Sequence, residues 1–360
     1  MNDCCIGIIM KPTIEGTMIV HEKIKSGKSI LITLIALCNC FLSCKGQPPY
    51  GTDHLTLDKV ISMPDVKGRI DHMYVNLKDQ VVYIAALGNN TLEVADLKNG
   101  KIIYSISGLD EPQGVGYIPQ THEIFVANGG NGDCYFYNAV TYQKVATIHL
   151  ASDADDVRYD SAERKLYVGY GSGGIAVINP ATHLQITDIK LPGHPEGFVV
   201  DGKNKTLYVN VPDKNMIGVI DLKQGKLIDK WISNGLHANF PISYNLSNQY
   251  LFVGYRHTAK LLVLNSITGK EITSAAMVAD VDDLYFDPKS LNVFISGGGG
   301  NINIFHYESQ TIKQIANILT RSGARTSLLI PGLRLYILAV RAAAGKKAEL
   351  HVYHIPHFKD

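Results

Sequence analysis

Residues 194–231, HPEGFVVDGKNKTLYVNVPDKNMIGVIDLKQGKLIDKW, decide the fold. They divide into four strand-length runs, GFVV, TLYVNV, MIGVID and KLIDKW. The runs are rich in Val, Ile, Tyr and Leu, residues that fit a pleated surface. The breaks are Asp201-Gly202, Pro212-Asp213-Lys214-Asn215 and Gln224-Gly225. Gly and Asn tolerate the left-handed backbone of tight turns, and Pro presets a turn's φ. Strand, turn, strand four times over is a small antiparallel sheet rather than a helix pair.

Working outward from Tyr208, the same aromatic recurs in a second-strand context at Tyr83, Phe125, Tyr167, Phe252, Phe294 and Tyr336. Successive steps are 42, 42, 41, 44, 42 and 42 residues. A period near forty with four strands per period predicts an all-β, seven-bladed β-propeller of four-stranded antiparallel blades. Third strands form a second column: LEVAD, CYFYN, IAVIN, IGVID, LLVLN, INIFH and LHVYH. The first five end in Asp96, Asn138, Asn179, Asp221 and Asn265, short polar residues suited to capping the turn that follows. Three Gly-rich pieces, Gly129–Gly132, Gly171–Gly174 and Gly297–Gly300, fall between second and third strands and read as hairpin turns, not phosphate loops. The seventh unit lacks a fourth strand, whereas 54–63 (HLTLDKVISM) has no blade of its own. The N-terminal strand is therefore expected to complete the last blade and close the ring, burying Leu55, Leu57, Val60 and Ile61.

With LYVGY, IFVANG and GVIDLKQGK on that period, the chain resembles the YVTN-repeat propellers of the YncE-like type. These are related to the propellers of the quinoprotein amine dehydrogenase β-chain. The resemblance covers about residues 53–358 and implies the propeller fold; no catalytic motif of the family maps onto this chain.

Residues 1–43 stand apart from the repeats. Lys23, Lys25 and Lys28 precede ILITLIALCNCFL, a signal-peptide pattern too short to span a bilayer. Phe41-Leu42-Ser43-Cys44 resembles a bacterial lipobox, which implies lipidation at Cys44 and a short tether over 44–52 (CKGQPPYGT) before the propeller at 53–358. The protein is thus expected to be exported to the cell envelope, in the periplasm or on the outer membrane, touching a membrane only through the N-terminal lipid. Cys4, Cys5, Cys38 and Cys40 would leave with the signal, so Cys134 alone would remain inside the fold, and neither a disulfide framework nor a Cys-based zinc site is expected. Past residue 43, thirty Lys/Arg face thirty Asp/Glu. A neutral chain without basic clusters argues against nucleic acid as a partner. A monomer is the expected state.

The inner strand of each blade lines the channel, and its start faces one opening. Aligning those starts gives a polar third column: Asp71, Gln113, Asp155, Glu196, Asn239, Asp282 and Arg325. Arg69, His72, Asp156, His194, His237 and Asp283 accompany it. Carboxylates gathered at one mouth need a cation, an arginine or a proton among them. Arg69 and Arg325 come from adjacent blades, roughly across from His194 and Glu196, which suits a small polar ligand with an anionic group and a hydroxyl or cationic group.

Three functions from different classes fit. The favoured one is a binding propeller for a small polar molecule or another exported protein. The second is a metal-dependent lactonase or hydrolase of gluconolactonase type, with Asp155, Glu196, Asn239 and Asp282 offering oxygens to Ca²⁺ or Mg²⁺. The third is a non-catalytic scaffold or partner subunit using rim loops such as Tyr255-Arg256-His257. A tryptophan-derived redox cofactor is disfavoured, because Trp231 is the only Trp and falls in an outer strand.

Overall fold

The computed structural model describes residues 54–356. The expected signal segment, the lipidation site at Cys44 and the tether lie outside the described residues. Within them the chain forms seven four-stranded antiparallel sheets, each built from consecutive strands except the last. The inner strands are Met73–Asn76, Pro112–Ile118, Ala154–Asp160, Phe198–Asp201, Asn239–Asn245, Val281–Asp287 and Ser327–Ile330, which number blades one to seven.

In blade seven the order from outside to inside is Thr56–Met63, Ala348–His354, Leu335–Val340, Ser327–Ile330. The N-terminal strand thus supplies the missing outer strand, pairing from Thr56 opposite His354 to Met63 opposite Ala348. The last sheet gains its fourth strand from the other end of the chain, which closes the ring. The burial expected along this strand is corrected in part. Leu55 and Ile61 are buried, and so is Met63, but Leu57 and Val60 are 48% and 46% exposed. Side chains alternate across a strand, so only one face of an outer strand packs against the ring.

Seven hydrophobic clusters hold the blades, one at each blade–blade interface. The cluster between blades seven and one joins Ile61, Met63 and Ile337 to Val82 and Ile84, so the closing strand belongs to a core. All seven second-strand aromatics are buried. The third-strand Asx residues cap their turns: Asn138 Oδ1 accepts from the amides of Val140 and Thr141 at 2.9 Å each, and Asp221 Oδ1 accepts from Lys223 at 2.7 Å. The Gly-rich pieces are hairpin turns, as where the Gly132 amide, at φ 76, donates to Asn128 O at 2.9 Å. Cys134 is fully buried, and burial pushes its thiol up.

Candidate functional site

The chemistry collects where the inner strands begin. Glu111 (φ 50), Asp153 (φ 42), Ala238 (φ 61) and Asp280 (φ 55) enter blades two, three, five and six through a left-handed backbone. In each of these blades the pairing then slips: between Pro112 and Val115, Ala154 and Val157, Asn239 and Ile242, and Val281 and Asp283. A bulge disturbs the strict alternation of a strand and re-aims side chains. Both members of Asp155-Asp156, Phe240-Pro241 and Asp282-Asp283 consequently line one cavity.

That cavity has a volume of about 450 Å³ and takes lining residues from all seven blades, so it sits on the ring axis. Of the residues expected there, Arg69, Asp71, His72, Gln113, Asp155, Asp156, His194, Glu196, Asp282, Asp283 and Arg325 line it. His237 and Asn239 do not. His237 is exposed and shares a 3.0 Å hydrogen bond with Asn215 Oδ1. Asn239 is fully buried, its amide nitrogen donating to Asn210 Oδ1 and Met216 O at 2.9 Å each. The cause is a register slip in the sequence alignment. The lining residue lies twelve positions before the second-strand aromatic in five blades (Asp71, Gln113, Asp155, Glu196, Asp282), and the same count from Phe252 reaches Phe240.

The lining residues divide into two poles. One is an arc of guanidinium groups around Asp282. Arg256 lies over the Phe240 ring, 3.5 Å from its centroid, donates from Nε to Val281 O at 2.9 Å, and pairs through Nη2 with Asp282. Arg325 meets Asp282 Oδ2 from Nε at 3.2 Å and donates from Nη1 to Asp280 Oδ1 at 2.8 Å. Arg69 pairs with Asp71. Arg256, expected on a rim loop, instead turns into the cavity. It stands four residues after Phe252, where blades two, three and six carry Gly129, Gly171 and Gly298, and that contrast was the available signal. Arg158 was also missed; it lines the cavity and pairs with Asp156.

The other pole is acidic and holds two imidazoles. His72 Nε2 lies 3.5 Å from Asp155, 3.8 Å from Asp156 and 3.8 Å from Asp71. Burial alone would push His72 down, but Asp156, Asp155 and Asp71 outweigh it and hold the ring well above its ordinary value. His194 Nδ1 is 2.6 Å from Gly171 O and 3.5 Å from Asp153 Oδ2, while Nε2 is 4.0 Å from Asp155 Oδ2. Against burial, Asp155, Gly171 O and the nearby acids raise His194 to about 9. Burial would raise Asp155, yet the imidazoles of His194 and His72 keep it below the usual carboxylate range. Glu196 is pushed well above its ordinary value by burial and then by Asp155. Asp283, buried and accepting from Ser327 N at 2.6 Å, rises to about 7, through burial first.

The four oxygens expected to ring Ca²⁺ or Mg²⁺ are not brought together. Asn239 is fully buried and does not line the cavity, and Asp282 is held between Arg256 and Arg325. The donors that do converge among the described residues are Asp155, His194 and Glu196, with ligand atoms within 4.8 Å of one another.

Glycine clears space for this site. A Cβ on Gly129 would lie 2.0 Å from Gln113 Nε2, and one on Gly298 1.9 Å from Asp280 Oδ2. Gln113 in turn donates to Asp153 Oδ1 at 3.0 Å from the place that a side chain at residue 129 would crowd.

No family model matches the chain, and no curated protein matches it. Solved structures do. A chain of the structure titled "Crystal Structure of Mitotic Checkpoint Complex" is similar at 17% identity and TM-score 0.72, covering 86% of this chain and 98% of that one. A chain of the hydrazine synthase of Kuenenia stuttgartiensis is similar at 14% identity and TM-score 0.65, covering 77% and 97%. At such identities the likeness establishes the propeller fold alone.

Proposed function

We propose that this protein is a binding propeller of the YVTN-repeat, YncE-like type, exported and held at a membrane by a lipid on Cys44, which captures a small polar ligand at its channel mouth. The repeat motifs LYVGY and IFVANG and the residues around Cys44 support the family and the anchor. The observation that carries the function is one cavity of about 450 Å³ lined by both an arc of arginines and a cluster of acids and imidazoles. The arc of Arg69, Arg256 and Arg325 offers guanidinium donors to a carboxylate or phosphate, whose geometry matches theirs. The pole of Asp155 and Glu196 takes a hydroxyl or cationic group. The favoured ligand is therefore dipolar, such as an amino acid or a hydroxy acid.

Two measurements test this reading. A thermal-shift panel of amino acids, hydroxy acids, dicarboxylates and sugar phosphates should contain compounds that raise the melting temperature of wild type, because a ligand held only by the folded ring stabilises it by mass action. Arg256→Ala should lose that rise. No stabilising compound, or an undiminished rise in Arg256→Ala, overturns the site. For the anchor, Cys44→Ala should leave the exported protein without an acyl chain. Wild type that carries none overturns the anchor but not the site.

A further inference from the structure

We infer that the acidic pole of the cavity is a site for a divalent transition-metal ion, bound by Nε2 of His194 and the carboxylates of Asp155 and Glu196. The inference deepens the binding reading above and rests on it only for the claim that the cavity takes a ligand. Three observations carry it. First, the three donors come from the starts of blades three and four and lie within 4.8 Å of one another. Second, Asp155 is only 8% exposed, and its Oδ1 has no hydrogen-bond partner. His72 Nε2 stands 3.5 Å from that Oδ1, and His194 Nε2 stands 4.0 Å from Oδ2. The imidazoles balance its charge but leave this buried oxygen without a hydrogen bond, a coordination that a metal ion would complete. Third, His194 is oriented as metal-bound histidines are. Its Nδ1 is 2.6 Å from Gly171 O, and a carbonyl only accepts, so Nδ1 carries the proton. A metal ion that displaces the Nε2 proton meets a lone pair there, and it is Nε2 that faces Asp155.

The donor set selects the metal. One imidazole with two carboxylates, and no thiolate, suits Zn²⁺ or Mn²⁺ better than Ca²⁺ or Mg²⁺, which favour oxygen alone. Bonds of about 2.0–2.1 Å at tetrahedral angles put neighbouring donors about 3.3 Å apart. The 4.0 Å gap between His194 Nε2 and Asp155 Oδ2 would close by side-chain rotation. Three protein donors leave a coordination position toward the cavity, where an oxygen of a bound hydroxy acid could reach the metal while its carboxylate meets the arginine arc.

The test is calorimetric titration of Zn²⁺ and of Mn²⁺ into chelator-treated full-length protein. The expected result is one saturable site per chain in wild type, weakened at least ten-fold in His194→Ala and in Glu196→Gln. His237→Ala, which changes no donor and lies outside the cavity, should keep wild-type affinity. Absence of a saturable site in wild type, or wild-type affinity in the two donor variants, overturns the inference. A second reading needs no variant: Mn²⁺ added to wild type should broaden the imidazole resonance of His194 before those of exposed His237 and His149, and uniform broadening overturns the site. The two readings fail separately. Organic ligands that bind while no saturable metal site is found sink the metal site alone, whereas metal binding with no organic ligand sinks the binding function alone.

Discussion

Replacing Ile61 by Ala is the sharpest test of how the ring is held shut. Ile61 is fully buried on the one strand that joins the two ends of the propeller, in the core it shares with Val82, Ile84 and Ile337. Truncating a fully buried Ile or Met to Ala costs about 2–5 kcal/mol, from lost transfer energy and the cavity left behind. Met63, 1% exposed and two residues on, should cost a similar amount. The pair share one core, so the double variant should fall short of the sum. Even the lower figures are a large part of the roughly 5–15 kcal/mol that folded proteins possess. Val60 lies on the same strand but is 46% exposed, so Val60→Ala should stay within about 0.5 kcal/mol of wild type. Urea unfolding of the three single variants reads these differences as shifts in midpoint at constant slope. Ile61→Ala indistinguishable from Val60→Ala would refute the closure, because a strand that packs nothing loses nothing.

Three further outcomes follow from the site and the core. Asp283 is raised to about 7 by burial, so the folded state binds its proton more tightly than the unfolded chain does. Its contribution is complete below the ordinary Asp value near 4 and is lost as pH rises to about 7, at most on the order of 4 kcal/mol; Asp283→Asn should flatten the fall in stability over that window, and an unchanged pH profile counts against it. Gly129→Ala should drive Gln113 off the cavity wall, since the new Cβ would sit 2.0 Å from its Nε2; the expected result is a loss of about 1–3 kcal/mol in stability together with weaker ligand binding, and wild-type values for both would disprove the clearance role. Cys134, fully buried with its thiol pushed up, should resist thiol reagents until the protein is unfolded, and rapid labelling of native protein would contradict its burial.

The blades were legible because propeller periodicity is written in local signals: an aromatic every 41 to 44 residues, and turn residues between short apolar runs. The closing strand was legible too, since a blade short of one strand and a strand without a blade imply each other. The cavity was read less well, and the reasons are local. Bulges at the starts of four inner strands break the period-two alternation that a sequence alignment assumes. In blade five the expected site, Asn239, lies thirteen positions before the aromatic, whereas the lining residue, Phe240, lies twelve before it as in five other blades. Arg256 reaches the cavity from the end of a second strand, a position that repeat logic assigns to the rim. Arg256 and Arg325 find their carboxylates, Asp280 and Asp282, in the neighbouring blade six, a contact that no single repeat encodes.

The most direct measurement is a crystal structure of the wild-type protein with the strongest stabilising compound from the ligand panel. The account predicts electron density for that compound on the ring axis, its anionic group against Arg256 and Arg325 and its other polar group toward Asp155 and Glu196. Density for the compound on the outer strands or a rim loop, with the axial cavity holding only water, would contradict it.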